Sequence, residues 1–302
     1  VAPPVPTAGT LARAAGDRGS AMLEADVSPL RRLLSDHGAL NVSTNPRLAW
    51  FDLETDSRVR FVDAVEHGAA RILCWSLATL RAGRAVIVAR GLLEADTDAA
   101  ERALIESFLD ACRPYDVLMA WSGDGFDFPV LEKRAAKVRA RPGGLAPLWM
   151  RWCWLDCLEA FRKYHAHVHE SGEEKTSYKL QSIAQAIVGE GKRDFEASRT
   201  WDAWAAGGEQ RRQLLAYNEQ DTLLMPMIEL KTGYVALHVA VCSVTRCFPD
   251  SRSLMASQQG DGFLLRLGEI HGHRWPTRRH AWEEAEPYPG AFVMEPTRTG
   301  IV

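Results

Sequence analysis

A short buried strand is predicted at Arg47-Leu-Ala-Trp-Phe-Asp-Leu-Glu-Thr55, although this stretch carries two carboxylates near its end. Side chains alternate along a strand, so Asp52 and Glu54 project from one face while Phe51 and Leu53 project from the other. Two like charges this close raise each other's pKa unless a cation neutralises them, and carboxylate oxygens suit a divalent metal. The alternative interpretation is a strand that runs out into solvent and carries ordinary surface acids.

The composition is that of a globular protein, with 46% hydrophobic and 25% charged residues in a chain of 302 residues. The formal net charge of -3 excludes a global basic field, so any binding to nucleic acid must be local. The six cysteines lack the spacing of a zinc knuckle and predict reduced thiols in a cytoplasmic protein. No run of about 18 apolar residues and no signal-peptide pattern is present in the sequence, so no membrane association is predicted.

The first part of the chain is predicted to be a tail and a lead-in. Residues 1–21 are rich in Ala, Pro, Gly and Thr, as flexible segments are. Residues 22–46 form a lead-in segment, in which the spacing of the leucines predicts a short helix at 24–37. Ordered structure is therefore predicted to begin near residue 22.

An α/β fold with a mixed sheet is predicted after the first strand. Two apolar runs at 71–80 and 85–89 flank Ala82-Gly83, a pattern that predicts a hairpin and hence an antiparallel meander of three strands. A helix is predicted next, with Asp98 as its cap and Glu101 as the capping-box partner. Flanking helices would cover the faces of the sheet.

A glycine-bearing turn is predicted where the next strand ends. The strand at 117–121 leads into Ser122-Gly-Asp-Gly-Phe-Asp-Phe-Pro129, which opens another helix. Asp124 and Asp127 lie in this turn. Acids at the start of a helix are favoured as N-caps, which is the alternative to a chemical role for either residue.

Two later helices are predicted at 177–189 and 209–230 from apolar stripes with helical spacing. The second helix holds Tyr217 and Asp221, which are four residues apart and therefore lie on one face. A tyrosine and an acid thus project together. The alternative is a hydrogen-bonded pair on the protein surface.

Three of these stretches form an ordered set: Phe51-Asp-Leu-Glu-Thr55, Gly123-Asp-Gly-Phe-Asp-Phe-Pro129 and Tyr217-Asn-Glu-Gln-Asp221. In order and spacing they resemble the three exonuclease motifs of family B DNA polymerases, within the DnaQ-like (DEDDy) proofreading superfamily. The resemblance implies an α/β fold of the RNase H-like (DnaQ-like) exonuclease type, with a mixed central sheet, three meander strands and flanking helices.

The resemblance also implies a domain order. It places the 3′–5′ exonuclease domain at 47–248 and a linker with the start of a palm-like segment at 249–302. The stretches Ser257-Gln-Gln-Gly-Asp-Gly-Phe-Leu-Leu265 and Pro289-Gly-Ala-Phe-Val-Met-Glu-Pro296 are similar to the approach to a polymerase palm. The sequence contains no D-x-x-S-L-Y-P-type polymerase motif, so this chain holds no complete polymerase site.

The family's site residues carry over to five positions. The resemblance implies that Asp52, Glu54, Asp127 and Asp221 hold two Mg²⁺ ions, with Mn²⁺ as a substitute. Asp52 would bridge the two ions, Glu54 and Asp221 would hold the ion that activates water, and Asp127 would support the second. Tyr217 would orient the attacking water, since a tyrosine with its usual pKa near 10 aligns better than it accepts a proton.

The substrate implied by the resemblance is the 3′ end of single-stranded DNA, with 5′-mononucleotides as product. Phe126, Phe128 and Tyr178 are candidates to stack on its bases, with packing in the core as the alternative, which is favoured for Phe128. Ser122 and Lys179 are predicted to contact its backbone, and the alternative for Lys179 is a solvated surface lysine. Ser122 stands where the family usually has Asn, which offers a longer reach and more hydrogen bonds. Asn218 stands where the family usually has a small or apolar residue.

A polymerase palm and thumb are the predicted partner, either in the same protein or on a separate chain. Two other functions stay open on the sequence. The first is a stand-alone DEDDy nuclease that acts on RNA or DNA, since no residue visibly excludes a 2′-hydroxyl. The second is a catalytically silent scaffold that binds nucleic acid in a polymerase complex, although all four acids and the tyrosine are present.

Overall fold

The computed structural model describes residues 23, 27, 31–32, 45–140, 151–165, 177–191 and 195–275. The predicted tail lies outside these residues, as do most of the predicted helix at 24–37 and the stretch from 276 to 302. The predicted domain boundaries at 46/47 and 248/249 stay predictions.

The described residues form strands interspersed with helices, and only helices follow the last of these strands. The strands are β1 (Leu48–Thr55), β2 (Ile72–Arg81), β3 (Arg84–Leu92), β4 (Val117–Ala120) and β5 (Cys153–Asp156). The helices are α1 (Phe61–His67), α2 (Asp98–Cys112), α3 (Asp127–Lys137), α4 (Cys157–Tyr164), α5 (Leu180–Ile187), α6 (Thr200–Ala206), α7 (Gly208–Thr232), α8 (Tyr234–Thr245) and α9 (Ala256–His271).

The five strands form one mixed sheet in the order β3-β2-β1-β4-β5. The antiparallel pairs β1–β2 and β2–β3 confirm the predicted meander, whereas β4 pairs parallel with β1 and with β5. The hairpin turns at Ala82 and Gly83, whose φ angles of 48° and 72° are both positive, as a two-residue type I′ turn requires. β1 is the central strand.

Alternation along β1 sorts its side chains between two cores. Phe51 packs against Phe108 of α2, with ring centroids 5.0 Å apart. Trp50 belongs to the other core, which includes Leu224 and Ile228 of α7. Asp52 shares the face of Trp50, so β1 directs this carboxylate toward α7.

The start of α2 differs from the prediction. Thr97 is the N-cap, and its side chain accepts a backbone hydrogen bond from the first turn, so Asp98 lies inside the helix. Glu101 is not a capping-box partner: its fully buried carboxylate pairs with Arg134 and accepts a hydrogen bond from the backbone N–H of Ile72 at 3.0 Å. Leaving the buried guanidinium of Arg134 without an opposite charge would cost more free energy than a second capping bond at an exposed helix end would contribute.

The short helix α1 was not predicted. It follows β1 closely and ends at Gly68, whose φ of 56° closes the last turn in the left-handed region. No single helix in the described ranges is long and apolar enough to cross a bilayer, and α7 and α8 reach that threshold only as a pair bent by 68°. All six cysteines are free thiols.

Candidate active site

Three carboxylates meet where β1 faces α7. Asp52 and Glu54 are half-buried on β1. Each of them and Asp221 of α7 offers a carboxylate oxygen, and these three oxygens lie within 4.8 Å of one another. We refer to Asp52, Glu54 and Asp221 as the carboxylate cluster. A strand that merely runs into solvent does not account for it, because Asp221 is only 1% exposed.

Asp127 lies beside the carboxylate cluster, at the start of α3. Its Oδ1 accepts a hydrogen bond from the backbone N–H of Leu53 at 3.3 Å, and Leu53 stands between the two acids of β1. Burial, and after it the charge of Asp52, raises the pKa of Asp127 well above its ordinary value. Asp127 is not the N-cap of α3, because Phe126 holds that position.

Helix α7 brings Tyr217 and Asp221 to the same face of the sheet. Tyr217 is 5% exposed, so the interpretation of this pair as a surface feature is wrong. The ring of Tyr217 stacks on Phe195, with centroids 4.9 Å apart and planes at 26°. Both predicted residues of the third motif therefore lie in the interior, one helical turn apart.

Asn218 is a site residue that the sequence did not identify. Its Nδ2 donates a hydrogen bond of 2.7 Å to Oδ2 of Asp52, and its side chain is fully buried. From the sequence alone, Asn218 was noted only as a residue that departs from the family pattern. A signal was present nonetheless, since residues three apart on a helix are neighbours and Asn218 precedes Asp221 by three.

An open groove of about 590 Å³ leads away from Asp52. Its lining includes three of the predicted DNA contacts, Ser122, Tyr178 and Lys179. Trp121 and Arg162 also line it and were not predicted. The indole N–H of Trp121 donates to the backbone oxygen of Tyr178 at 3.1 Å, and the guanidinium of Arg162 lies 4.6 Å from the centre of the Tyr178 ring. These contacts hold the tyrosine ring in place beside a cation. We refer to this space as the Asp52 groove.

Ser122 has a left-handed backbone conformation, with φ of 58°. It directly precedes the single 3₁₀ turn Gly123–Gly125, which lies between β4 and α3. Asparagine adopts this conformation more readily than serine does. The local geometry therefore gives a physical reason for the family's preference for Asn at this position, besides its hydrogen-bonding reach.

The two predicted aromatic residues of the turn have different surroundings. Phe126 is half-buried and stacks on Phe61 of α1, with ring centroids 5.5 Å apart and planes at 20°. Phe61 is 62% exposed, so the pair forms an aromatic step at the surface next to Asp127. Phe128 packs against Phe51 and Trp154, as expected for a core residue.

The sequence profile of the RNase H superfamily matches residues 49–231, which is more than half of the chain. The chain belongs to the RNase H superfamily. The profile spans β1 to the end of α7, so the RNase H domain includes the whole sheet, the carboxylate cluster and Tyr217. The predicted RNase H-like fold is confirmed.

The similar proteins are DNA polymerases. The chain is 26% identical over 302 aligned positions to a DNA polymerase of Pyrococcus glycovorans and 24% identical over 299 to one of Thermococcus gorgonarius. These alignments cover 92% and 91% of the chain, and the chain spans 37% of the length of each relative. A solved structure of the family B DNA polymerase from the hyperthermophilic archaeon Pyrobaculum calidifontis superposes with a TM-score of 0.62 at 19% identity, over 91% of this chain and 39% of that one.

The donor set of the RNase H domain fits a divalent cation. Three carboxylate oxygens within 4.8 Å of one another can enclose one ion, and hard cations such as Mg²⁺, Mn²⁺ and Ca²⁺ prefer oxygen ligands. An ion would also relieve the mutual repulsion of the acids, including the neighbouring Asp127.

Proposed function

We propose that this chain is a metal-dependent 3′–5′ exonuclease that hydrolyses the 3′ end of single-stranded DNA to 5′-mononucleotides. The observation that carries the proposal is the carboxylate cluster, one member of which, Asp52, lines the Asp52 groove. Acids alone would describe many metal sites. Here Asp52 also lines a groove that holds Lys179 and Arg162. These two cations provide a path along which a polyanion could reach the cluster.

The reaction replaces one bond to phosphorus with another. A water oxygen bonds to the terminal phosphorus, and the bond to the 3′ oxygen of the preceding nucleotide breaks, which leaves a 3′ hydroxyl and a 5′-mononucleotide. Bound divalent ions lower the pKa of a coordinated water and neutralise charge on the phosphate. We propose two Mg²⁺ ions, for which Mn²⁺ can substitute.

The proposed roles of the acids follow from the family resemblance. Asp52, which belongs to the carboxylate cluster and whose charge acts on Asp127, would help to hold both ions. Glu54 and Asp221 would hold the ion nearer the attacking water. Asp127, which lies outside the carboxylate cluster, would support the second ion. Tyr217, one turn before Asp221, would orient the attacking water through its hydroxyl.

The Asp52 groove explains how a strand could be bound without regard to sequence. Tyr178 offers a ring face to a base, and every base has a face that can stack. Lys179 and Arg162 offer positive charge to phosphates, and Ser122 offers a hydroxyl. The step formed by Phe126 and its neighbour Phe61 would hold a further base near the scissile end.

The polymerase setting is part of the proposal. The similar proteins are DNA polymerases more than twice as long as the matched region. We propose that a palm and thumb, in the same protein or on a partner chain, deliver the frayed 3′ end of a primer to this site. Proofreading would then depend on how long a terminus stays unpaired.

Digestion of a 5′-labelled single-stranded DNA oligonucleotide tests the activity. With Mg²⁺ we expect a ladder that shortens from the 3′ end, release of 5′-mononucleotides, and no cleavage in EDTA. A matched RNA oligonucleotide and a circular single strand are the comparisons. Cleavage of the circle would contradict an exonuclease, faster digestion of RNA would contradict the DNA substrate, and inactivity with both Mg²⁺ and Mn²⁺ would favour the scaffold.

A further inference from the structure

A buried polar network joins β2 to α7 directly behind Asp52. Ser76 lies opposite Asp52 in the antiparallel register of β1 and β2. Its hydroxyl forms a 2.5 Å hydrogen bond with the hydroxyl of Thr222 and donates to the backbone oxygen of Asn218 at 3.1 Å. Ser76 of β2 and both Asn218 and Thr222 of α7 are fully buried. The network fixes the position of α7 at the turn that carries Asn218.

Asn218 extends this network to the Asp52 carboxylate. Its Nδ2 donates to Oδ2 of Asp52 at 2.7 Å. We propose that Asn218 is a positioning residue that holds the Asp52 carboxylate in the orientation needed for cation binding. This inference rests on the proposed metal-dependent function.

The burial of the Asn218 amide indicates that it is there for this bond. Its Oδ1 is buried and has no hydrogen-bond partner among the described residues. Burying an amide oxygen without a donor costs free energy, and an apolar side chain of similar volume, such as leucine, would avoid that cost. The same amide group donates the hydrogen bond to Asp52, so this bond accounts for an amide at a position where an apolar side chain would cost less.

A neutral donor is suited to this task. A lysine or arginine in place of Asn218 would neutralise Asp52 and compete with the cation for its charge. An amide instead fixes the carboxylate and leaves its charge in place. Without such a bond, repulsion among the three acids in the absence of a cation favours rotation of the Asp52 carboxylate away from Glu54 and Asp221. Asn218 thus prepares the carboxylate cluster before the ion arrives.

Partners that orient a ligand are known to set metal affinity. Removing such a partner typically lowers affinity by about 10- to 100-fold. We therefore expect Asn218→Ala to weaken Mn²⁺ binding by about that factor. Excess metal should restore most of the turnover, because the ligands themselves are still present.

Titration of the DNA-free protein with Mn²⁺, followed by the electron paramagnetic resonance signal of the free ion, measures this affinity directly. Thr222→Val is the matched control, because it removes a hydroxyl of the same network and does not touch Asp52. We expect Asn218→Ala to bind Mn²⁺ weakly and Thr222→Val to bind it nearly as the wild type does. Asn218→Ser, whose hydroxyl is too short to reach Asp52, should repeat the result if the alanine variant does not fold.

Two results would overturn the inference. Wild-type affinity in folded Asn218→Ala or Asn218→Ser would show that the amide does not orient Asp52. Equal weakening by Thr222→Val would show that helix packing, not the amide, sets the affinity.

The double variant Asp52→Ala/Glu54→Ala separates a failure of this inference from a failure of the proposed function. If it loses Mn²⁺ binding while Asn218→Ala retains it, the metal site stands and only the role of Asn218 falls. If the wild type binds no Mn²⁺, both fall.

Discussion

Asp127 Oδ1 accepts a hydrogen bond from the backbone N–H of Leu53, the residue that separates Asp52 from Glu54 on β1. The bond ties the start of α3 to the end of the central strand and keeps a third acid beside the two acids of β1. Burial and the charge of Asp52 raise the pKa of Asp127, so an ionised Asp127 is costly while no cation is bound.

Asp127→Asn should stabilise the metal-free protein, and the gain should grow with pH. The unfolded carboxyl ionises near pH 4, at about its ordinary pKa, whereas the folded carboxyl ionises at a higher pH. The wild type therefore loses stability as pH rises from about 4 through the raised pKa, and the variant, which cannot ionise there, does not. Thermal melts in EDTA between about pH 4 and pH 8 measure the difference. A melting-temperature gap that stays constant or closes with rising pH would contradict this.

Tyr217→Phe should slow hydrolysis by about 10- to 1,000-fold and leave DNA binding largely intact. The variant loses the hydroxyl that we propose orients the attacking water, while its ring can still stack on Phe195. Single-turnover rates at saturating enzyme isolate the chemical step. A variant that matches the wild type in this rate would show that Tyr217 is a core residue.

Phe61→Ala should weaken binding of single-stranded DNA, because it removes half of the aromatic step that Phe61 forms with Phe126. Stacking on an aromatic residue contributes about 1–3 kcal/mol per base, which is about 5- to 150-fold in affinity. Val62→Ala is the matched control, since Val62 follows on the same helix and is 54% exposed. Fluorescence anisotropy in EDTA measures affinity without hydrolysis.

An oligonucleotide with abasic 3′-terminal nucleotides sharpens the comparison. The wild type should bind it more weakly than the intact strand, and this difference should be smaller for Phe61→Ala, in which only Phe126 and Tyr178 are left to stack on a base. If Phe61→Ala and Val62→Ala bind the intact strand equally well, Phe61 does not stack on the substrate.

Acid should destabilise the protein through His238. This fully buried histidine lies between the Tyr164 hydroxyl, 3.0 Å from its Nδ1, and the backbone oxygen of Asp250, 3.2 Å from its Nε2. Burial lowers the pKa of His238 from 6.5 to about 4. The unfolded state therefore binds a proton first, and stability falls by about 3 kcal/mol in total as pH drops from 6.5 to 4.

Urea unfolding of wild type and His238→Gln at several pH values tests this. The free energy of unfolding of the variant should fall less steeply over that window, whatever its stability at neutral pH. His67→Gln, which alters an exposed histidine of α1, is the control for the substitution itself. Parallel pH profiles for wild type and His238→Gln would contradict the assignment.

The sequence was sufficient where local patterns determine structure. Alternation along β1 and the turn at Ala82 and Gly83 predicted the meander, because both depend only on neighbouring residues. The convergence of Asp52 and Asp221 was implied by the resemblance of the three stretches to the family's exonuclease motifs. Their placement in the structure agrees with it.

The sequence was insufficient where a contact joins distant residues. The bond from Asn218 to Asp52 depends on the rotation of α7 about its axis, which its composition does not set. Glu101 was misassigned because its partner, Arg134, lies 33 residues further along the chain. Arg162 was missed because its role at the groove arises from its position over the ring of Tyr178.

The single-turnover rate of Asp52→Ala/Glu54→Ala on a 5′-labelled single strand in Mg²⁺ tests the account most directly. The substitutions remove two proposed ligands whose charges repel each other in the metal-free protein. Cleavage should therefore be abolished, while the melting temperature in EDTA stays level or rises. Near-normal 3′-end digestion by the folded double variant would contradict the assignment of the metal site and, with it, the proposed nuclease mechanism.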